Sequence, residues 1–252
     1  VLKVERLDEI NEYIKNNVTV SLDELVKVFD VSKNTIRRDV NELVKSGEFS
    51  KIYGGVSVNR STIIPYKDRS IQNQAAKQQI AKQAASYVED GDIIFLDSGT
   101  TTVEMFHFIK HKKVTVITNN MEFVIAALPF ENLNIFSTGG MLERKTKSLT
   151  SIHNKEVIRG YNINKAFLAS SGISLKNGVT NSLPVESDLK ACVVEKSDDV
   201  FLLVDHHKFD KYSLTTYCRL EQIDHLVTDK QPANQYLDFM KKHNIKLMVT
   251  GK

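Results

Sequence analysis

The sequence predicts an α/β protein: a small winged helix-turn-helix head followed by a larger, mainly parallel α/β domain. Three observations predict it. Residues 21–55 carry two short amphipathic helices on a tight turn and then a hairpin signal. From Lys77 onward, short apolar runs alternate with helical stretches. Between them, residues 59–76 (NRSTIIPYKDRSIQNQAA) lose periodicity, include Pro65 and read as a linker. The expected division is therefore a head over 1–58, a linker over 59–76 and a ligand-binding domain over 77–252.

In the head, a first helix over about residues 4–16 puts Leu7, Ile10 and Ile14 on one side. Ser21 and Glu24 form the S-x-x-E pattern of a capping box ahead of Leu22, Leu25, Val26 and Phe29. Asp30 and Val31 make the turn, Ser32 N-caps the next helix, and Gly47 is placed to end it. That last helix has an apolar back of Ile36, Val40, Leu43 and Val44. Its other face offers Lys33, Asn34, Thr35, Arg37, Arg38 and Asn41. Outward donors on a short helix fit a DNA major groove. Apolar segments on either side of Gly54-Gly55 then predict a wing, with Lys51 and Tyr53 near phosphates. The competing reading is a small helical subdomain with solvated charges.

Charge distribution favours the DNA reading. The net charge of +3 is too small to signal nucleic acid by itself. Residues 1–30, however, hold four Lys/Arg against seven Asp/Glu, and residues 31–60 hold six against three. Positive charge thus concentrates where phosphate contacts are required.

Composition excludes other classes. A hydrophobic content of 41% supplies a real core over 252 residues, enough for about two domains. No apolar run reaches the length of a membrane span, and the N-terminus lacks a signal-peptide core. Cys192 and Cys218 form neither a metal spacing nor a disulfide framework, so a reducing cytoplasm is the expected compartment. No cofactor is expected. His206-His207 has no third ligand placed by spacing, so no metal is expected either.

In the larger domain the strand candidates are 93–96, 114–117, 133–136, 166–169, 200–204, 226–227 and 245–249. The helix candidates are 77–89, 101–110, 120–128, 184–197 and 234–242. Near-continuous apolar strands fit a sheet buried on both faces. Their ends are informative: Asp97-Ser98-Gly99-Thr100-Thr101-Thr102, Thr118-Asn119-Asn120, Ser137-Thr138-Gly139-Gly140, Ser170-Ser171-Gly172 and Asp205. In open α/β sheets, ligands sit at the carboxyl ends of the strands. Ser98–Thr102 combines hydroxyls, a tight turn at Gly99 and a following helix, which suits a phosphate. No Gly-Lys-Ser/Thr follows, so the loop is not that of a nucleoside triphosphatase. The plain alternative is a capped helix with no ligand. Glu186 and Lys190 read as a solvated i, i+4 pair, while Asp205 and Lys208 lie nearer a strand-end site. Arg144, Lys145 and Lys147 either meet an anion or face solvent.

These segments together resemble the DeoR family of bacterial transcription regulators over nearly the whole chain. VSKNTIRRDVNEL and IYGGV carry the resemblance in the head. FLDSGTTT, VITNN, STGG, FLASSGIS and LLVDHHKF carry it beyond. The resemblance implies a C-terminal domain related to sugar-phosphate isomerases and a phosphorylated sugar intermediate as effector. It also implies a repressor of carbohydrate-catabolism genes that binds double-stranded operator DNA. Asp97–Thr102 would be the phosphate loop, and Asn119, Gly139, Gly140, Gly172, Glu186, Lys190, Asp205 and Lys208 would surround the sugar. SLDELVKVFDVSKNTIRRD, YNINKAF and GVTNS further resemble the subgroup of inositol-catabolism repressors. One winged domain reads few base pairs, so a homo-oligomer, dimer or tetramer, is expected. The competing function is a sugar-phosphate isomerase or deaminase, for which Asp97, Glu186 and Asp205 offer carboxylates. No dense catalytic cluster supports it.

Overall fold

The computed structural model describes residues 3–17, 19–45, 49–58 and 63–251, in two compact units, Val1–Thr62 and Ile63–Lys252. The first contains α1 (Lys3–Asn17), β1 (Thr19–Ser21), α2 (Leu22–Phe29), α3 (Lys33–Lys45), β2 (Phe49–Ile52) and β3 (Gly55–Val58). Ile10, Ile14, Val20, Leu25, Ile36, Val40, Phe49 and Val56 form one buried core, as the helical spacing requires. The helix-turn-helix geometry is locally specified. Ser21 Oγ accepts the Glu24 N–H at 3.0 Å, Asp30 takes φ +47° at the end of α2, and Ser32 Oγ accepts the Thr35 N–H at 3.2 Å. The capping box is only half made, because the Glu24 carboxylate accepts from the Tyr13 hydroxyl instead. Gly47 lies outside the described residues.

The wing differs from expectation in two ways. Ile52 pairs with Gly55, so the turn is Tyr53-Gly54, with Gly54 at φ +73°. Gly55 belongs to β3, where a Cβ would stand 2.5 Å from the Val20 carbonyl oxygen. That contact comes from β1, which the sequence reading missed and which makes a three-stranded antiparallel sheet in the order β1-β3-β2.

The second unit starts earlier than expected. Residues 63–76, assigned to a linker, fold with it: α4 (Tyr66–Ile71) buries Tyr66, and α5 (Gln74–Ala85) begins before Lys77. Residues 59–62 lie outside the described residues. The chain then runs β4 (Ile93–Leu96), α6 (Phe106–Ile109), β5 (Val114–Thr118), α7 (Met121–Ala127), β6 (Leu133–Ser137), β7 (Met141–Glu143), β8 (Ser148–Thr150) and α8 (Asn154–Arg159). It continues through β9 (Ile163–Ala169), β10 (Gly172–Ser174), β11 (Gly178–Asn181), α9 (Pro184–Lys196), β12 (Ser197–Leu203), β13 (Thr215–Cys218), β14 (His225–Thr228), α10 (Asn234–Lys242) and β15 (Lys246–Val249).

Seven of these strands form one sheet in the order β15-β14-β12-β9-β4-β5-β6, every pair parallel. An apolar cluster covers each face, one built on α5, α6 and α7 and the other on α8, α9 and α10. The order reverses between β4 and β9: the chain steps outward from β4 to β6, then returns to the other side of β4. Side chains and loops after β4 and β9 therefore splay apart at their carboxyl ends, where such folds bind ligands. Two small antiparallel additions, β7-β8 and β10-β11-β13, were not foreseen. Among the described residues no helix is long and apolar enough to cross a membrane.

Candidate functional site

On the head, α3 presents Asn34, Arg37, Arg38 and Asn41 as one exposed stripe opposite buried Ile36, Asp39 and Val40. Arg37 and Asn41 share a shallow depression with Lys51, Ile52 and Gly54 of the wing. Tyr53, at 107% relative exposure, tips the turn. The other two expected residues stand apart. Lys33 donates to Asp23 at 2.6 Å, a contact that holds the Asp23 carboxyl below its usual range. Thr35 is half-buried, its hydroxyl 2.9 Å from that of Ser32 in the cap. Asp39, buried on the inner face of α3, meets Arg6 of α1 at 2.8 Å and so ties the outward stripe to the core of the head.

In the second unit the loop after β4 is organised by Asp97, which is fully buried. One carboxylate oxygen accepts the Gly99 N–H at 2.8 Å and the Thr102 hydroxyl at 2.7 Å. The other accepts the Ala169 N–H at 2.9 Å and meets Lys190 Nζ at 2.7 Å. Asp97 therefore clamps β4 to β9 across the switch point, and its oxygens are taken. Gly99 is needed for close approach rather than for a left-handed turn: a Cβ there would lie 2.6 Å from the Ala169 Cβ and 2.8 Å from Asp97 Oδ1. Ser98, Thr100 and Thr101 are buried beside this clamp. The expected helix over 101–110 begins as a 3-10 turn, Thr102–Met105, and becomes α only over Phe106–Ile109. Thr102 is committed to Asp97, and Thr101 makes no capping bond with its side chain.

Glu186 and Lys190 are not a solvated pair. They are 5% and 4% exposed, and each has its own partners. Lys190 Nζ reaches Asp97, the Ala169 carbonyl at 2.8 Å and Asn181 Oδ1 at 3.4 Å, and stands 5.2 Å from the Tyr217 ring. Glu186 accepts from Ser148 Oγ at 2.5 Å and from Asn181 Nδ2 at 3.0 Å. Asn181 thus joins the two charges into one buried network, as low dielectric requires of ions kept from water. Burial pushes the nearby Cys218 thiol up to about 12, so it stays protonated and inert.

Three polar atoms at neighbouring strand ends lack protein partners: Asn119 Oδ1 after β5, Thr138 Oγ1 after β6 and Ser170 Oγ after β9. Asn119 otherwise donates only a long bond, 3.4 Å, to Ser98 Oγ. A buried polar atom without a protein partner is satisfied by a water or a ligand. Gly139 (φ +69°) and Gly140 (φ +105°) serve the crossing into β7; a Cβ on Gly140 would sit 2.3 Å from the Thr150 carbonyl oxygen. Gly172 packs equally tightly, 2.5 Å in the same sense from the Lys211 carbonyl. Asp205 caps the 3-10 turn His206–Lys208 by accepting the His207 N–H at 2.9 Å.

The sequence reading missed two cations. Lys77 and Arg69 come from the stretch assigned to the linker and its border. Burial draws the Lys77 ammonium down to about 8, with Lys208 pressing the same way and Asp205 opposing. Burial also lowers Arg69, against the pull of Glu186, Tyr66 and Asp97. Lys77 was legible after all: it sits on the apolar stripe of α5 with Ile80, Ala81 and Ala84. A lysine at such a position is held there for a reason other than solubility.

Family models match both units: a DeoR-like helix-turn-helix domain over residues 6–62 and a DeoR C-terminal sensor domain over residues 72–230. The HTH-type transcriptional regulator IolR of Bacillus subtilis strain 168 is 40% identical over 97% of this chain and 98% of the relative. The lactose phosphotransferase system repressor of Staphylococcus aureus NCTC 8325 is 30% identical over 98% of each chain. The glycerol-3-phosphate regulon repressor of Escherichia coli K12 is 28% identical over 97% of this chain and 98% of the relative. Among solved structures, ribose 5-phosphate isomerase A of Methanocaldococcus jannaschii aligns over 55% of each chain at 17% identity and a TM-score of 0.41, too low to bear on function. With both domain models matched and full-length relatives at up to 40% identity, the chain belongs to the DeoR family of transcription regulators.

Proposed function

We propose that this regulator represses a carbohydrate-catabolism operon by binding operator DNA through α3 and the wing, and releases it when a phosphorylated sugar occupies the strand ends of the sensor domain. Arg37 and Arg38 address guanine edges or phosphates, Asn34 and Asn41 adenine edges, and Lys51 and Tyr53 the backbone. Lys33 and Thr35 have secondary parts, given their contacts within the head. Salt-dependent affinity follows from the phosphate contacts. A homo-oligomer, dimer or tetramer, in the cytoplasm would supply the second half-site.

The observation that carries the sensor reading is the buried Lys77 ammonium, which feels Lys208 and Asp205 after β12, together with the buried hydroxyls of Ser98, Thr100 and Thr101 after β4 at the switch point. A desolvated ammonium is relieved by an anion, and Ser98, Thr100, Thr101 and Asn119 offer hydrogen bonds around it. Asp97, Glu186 and Lys190 shape this cradle from behind, while Gly99, Gly139, Gly140 and Gly172 shape its backbone. Asp205 and Thr102 do so by fixing the turns that carry Lys208 and the loop.

The family membership makes the chain a regulator and not an enzyme. The likeness to IolR makes phosphorylated intermediates of inositol breakdown the first effectors to screen. A thermal-shift screen of sugar phosphates tests the sensor reading: the effector should raise the melting temperature by mass action. If none does, the strand-end site is wrong. A gel shift with Arg37→Ala and Arg38→Ala combined tests the head: retained specific binding would reject α3 as the reading helix.

A further inference from the structure

α4 is the first helix after the head, and both of its ends are tied to groups of the candidate effector site. At its start, the Tyr66 N–H donates to the Lys145 carbonyl at 2.6 Å and Lys147 Nζ stands 5.0 Å from the Tyr66 ring. Thr146, between those lysines, lies 2.7 Å by its hydroxyl from Ser148 Oγ, the donor to Glu186. At its end, the Arg69 carbonyl accepts from Lys77 Nζ, the buried ammonium that faces Lys208 and Asp205. The Arg69 guanidinium donates through Nε to the Ile64 carbonyl at 3.1 Å and is drawn electrostatically toward Glu186 and Asp97.

A neutral carbonyl is a poor holder of an ammonium when a phosphate competes. Charge-assisted pairs are roughly twice as strong as neutral ones, and the difference widens where water is excluded. A six-residue helix has little stability of its own, so its state depends on its ties. We infer that α4 reports effector occupancy: an anion at the strand ends draws Lys77 onto itself, the tie from Lys77 to the Arg69 carbonyl is given up, and α4 loosens from the sensor domain. The inference rests on the strand-end site being the effector site, and it supplies the differential contact that any ligand-driven switch requires.

The test uses the full-length protein with inorganic phosphate as the probe. Phosphorus NMR line broadening reads occupancy, and amide hydrogen exchange by mass spectrometry reads residues 66–71. Phosphate should speed exchange across 66–71, and Ser98→Ala with Thr101→Val should remove both signals. Lys77→Met should exchange fast at 66–71 without phosphate and respond no further to it. Lys77→Gln, which keeps a donor for the Arg69 carbonyl and loses the charge, keeps the test open if Lys77→Met fails to fold. It should weaken phosphate about tenfold, the loss of one charged hydrogen-bonding group, and move the exchange response to higher phosphate by the same factor. Lys77→Arg should recover part of that loss. Broadening with unchanged exchange at 66–71 overturns the coupling and leaves the site standing. No broadening overturns the site, and the coupling with it.

Discussion

On α3 of the head, Asn34, Arg37, Arg38 and Asn41 stand exposed over an apolar core, whereas Asp97, Glu186 and Lys190 of the sensor domain are buried, with Lys190 bonded directly to Asp97 and through Asn181 to Glu186. The head keeps its working charges in water and offers them to a polyanion. The sensor domain keeps its charges out of water, where each must be paired. Removing a charge should therefore cost binding in the head and folding in the sensor domain. Even the buried Asp39 of the head follows this logic, since Arg6 pairs with it behind the outward stripe.

The largest effect should come from breaking the inward network. Lys190→Met leaves Asp97 buried without its cation, and such a loss typically costs about 3–5 kcal/mol. Urea unfolding at neutral pH measures it. Adding Asp97→Asn to the same chain should recover part of the loss, because the uncompensated charge is then gone. Equal stability of Lys190→Met and the wild type would dissolve the contrast between the two regions.

The outward charges should behave in the opposite way. Each Arg to Ala change on α3 should remove about 1–3 kcal/mol of discrimination if the side chain holds a guanine edge. Stability should move by no more than about 0.5 kcal/mol, as for ordinary surface sites. Fluorescence anisotropy with specific and scrambled duplexes separates a base contact from a phosphate contact. A uniform loss on both duplexes reassigns the residue to the backbone.

Gly99 sharpens the comparison at the level of packing. Gly54, at the wing tip, has nothing within 4 Å of a built Cβ, whereas Gly99 has the Ala169 Cβ at 2.6 Å and the Asp97 carboxylate at 2.8 Å. Gly99→Ala should cost about 1–3 kcal/mol by overpacking and should also weaken sugar-phosphate binding by opening the clamp. Thermal denaturation with and without ligand reads both. At Gly54 the penalty is conformational, from φ +73°, with no clash to relieve.

The same contrast explains what was legible in the sequence. Periodicity reveals which side of an element faces a core, so the outward stripe of α3 and the seven parallel strands could be read from apolar spacing. It reveals nothing about partners across the fold. Glu186 and Lys190, four apart on one helix, look like a solvated pair until Asp97, Ser148 and Asn181 arrive from other elements. Arg69 was lost because α4 has only six residues, too few for a period to show, and Pro65 reads as a breaker although it precedes the helix. The strands of β7-β8 and β10-β11-β13 are three or four residues long and are specified by tertiary pairing rather than by local preference.

The smallest effect concerns protons. His225 is buried at the start of β14, stacked on Phe201 at 4.0 Å, with Nδ1 unpartnered and Nε2 3.5 Å from Asp199. Burial lowers its pKa from the ordinary 6.5, with Asp199 opposing. The unfolded chain therefore takes up the proton first as pH falls. The contribution of neutral His225 is fully present above 6.5 and is lost as pH drops through that value toward the folded pKa. In the head, Lys33 lowers the exposed Asp23 carboxyl from 3.8, so any contribution there stays until pH falls below that value and is screened by salt. Urea melts stepped down through 6.5 should lose stability in the wild type, and His225→Phe should flatten that slope. If the slope survives the substitution, another group in the sensor domain titrates in its place, and the buried imidazole is not the domain's acid-sensitive point.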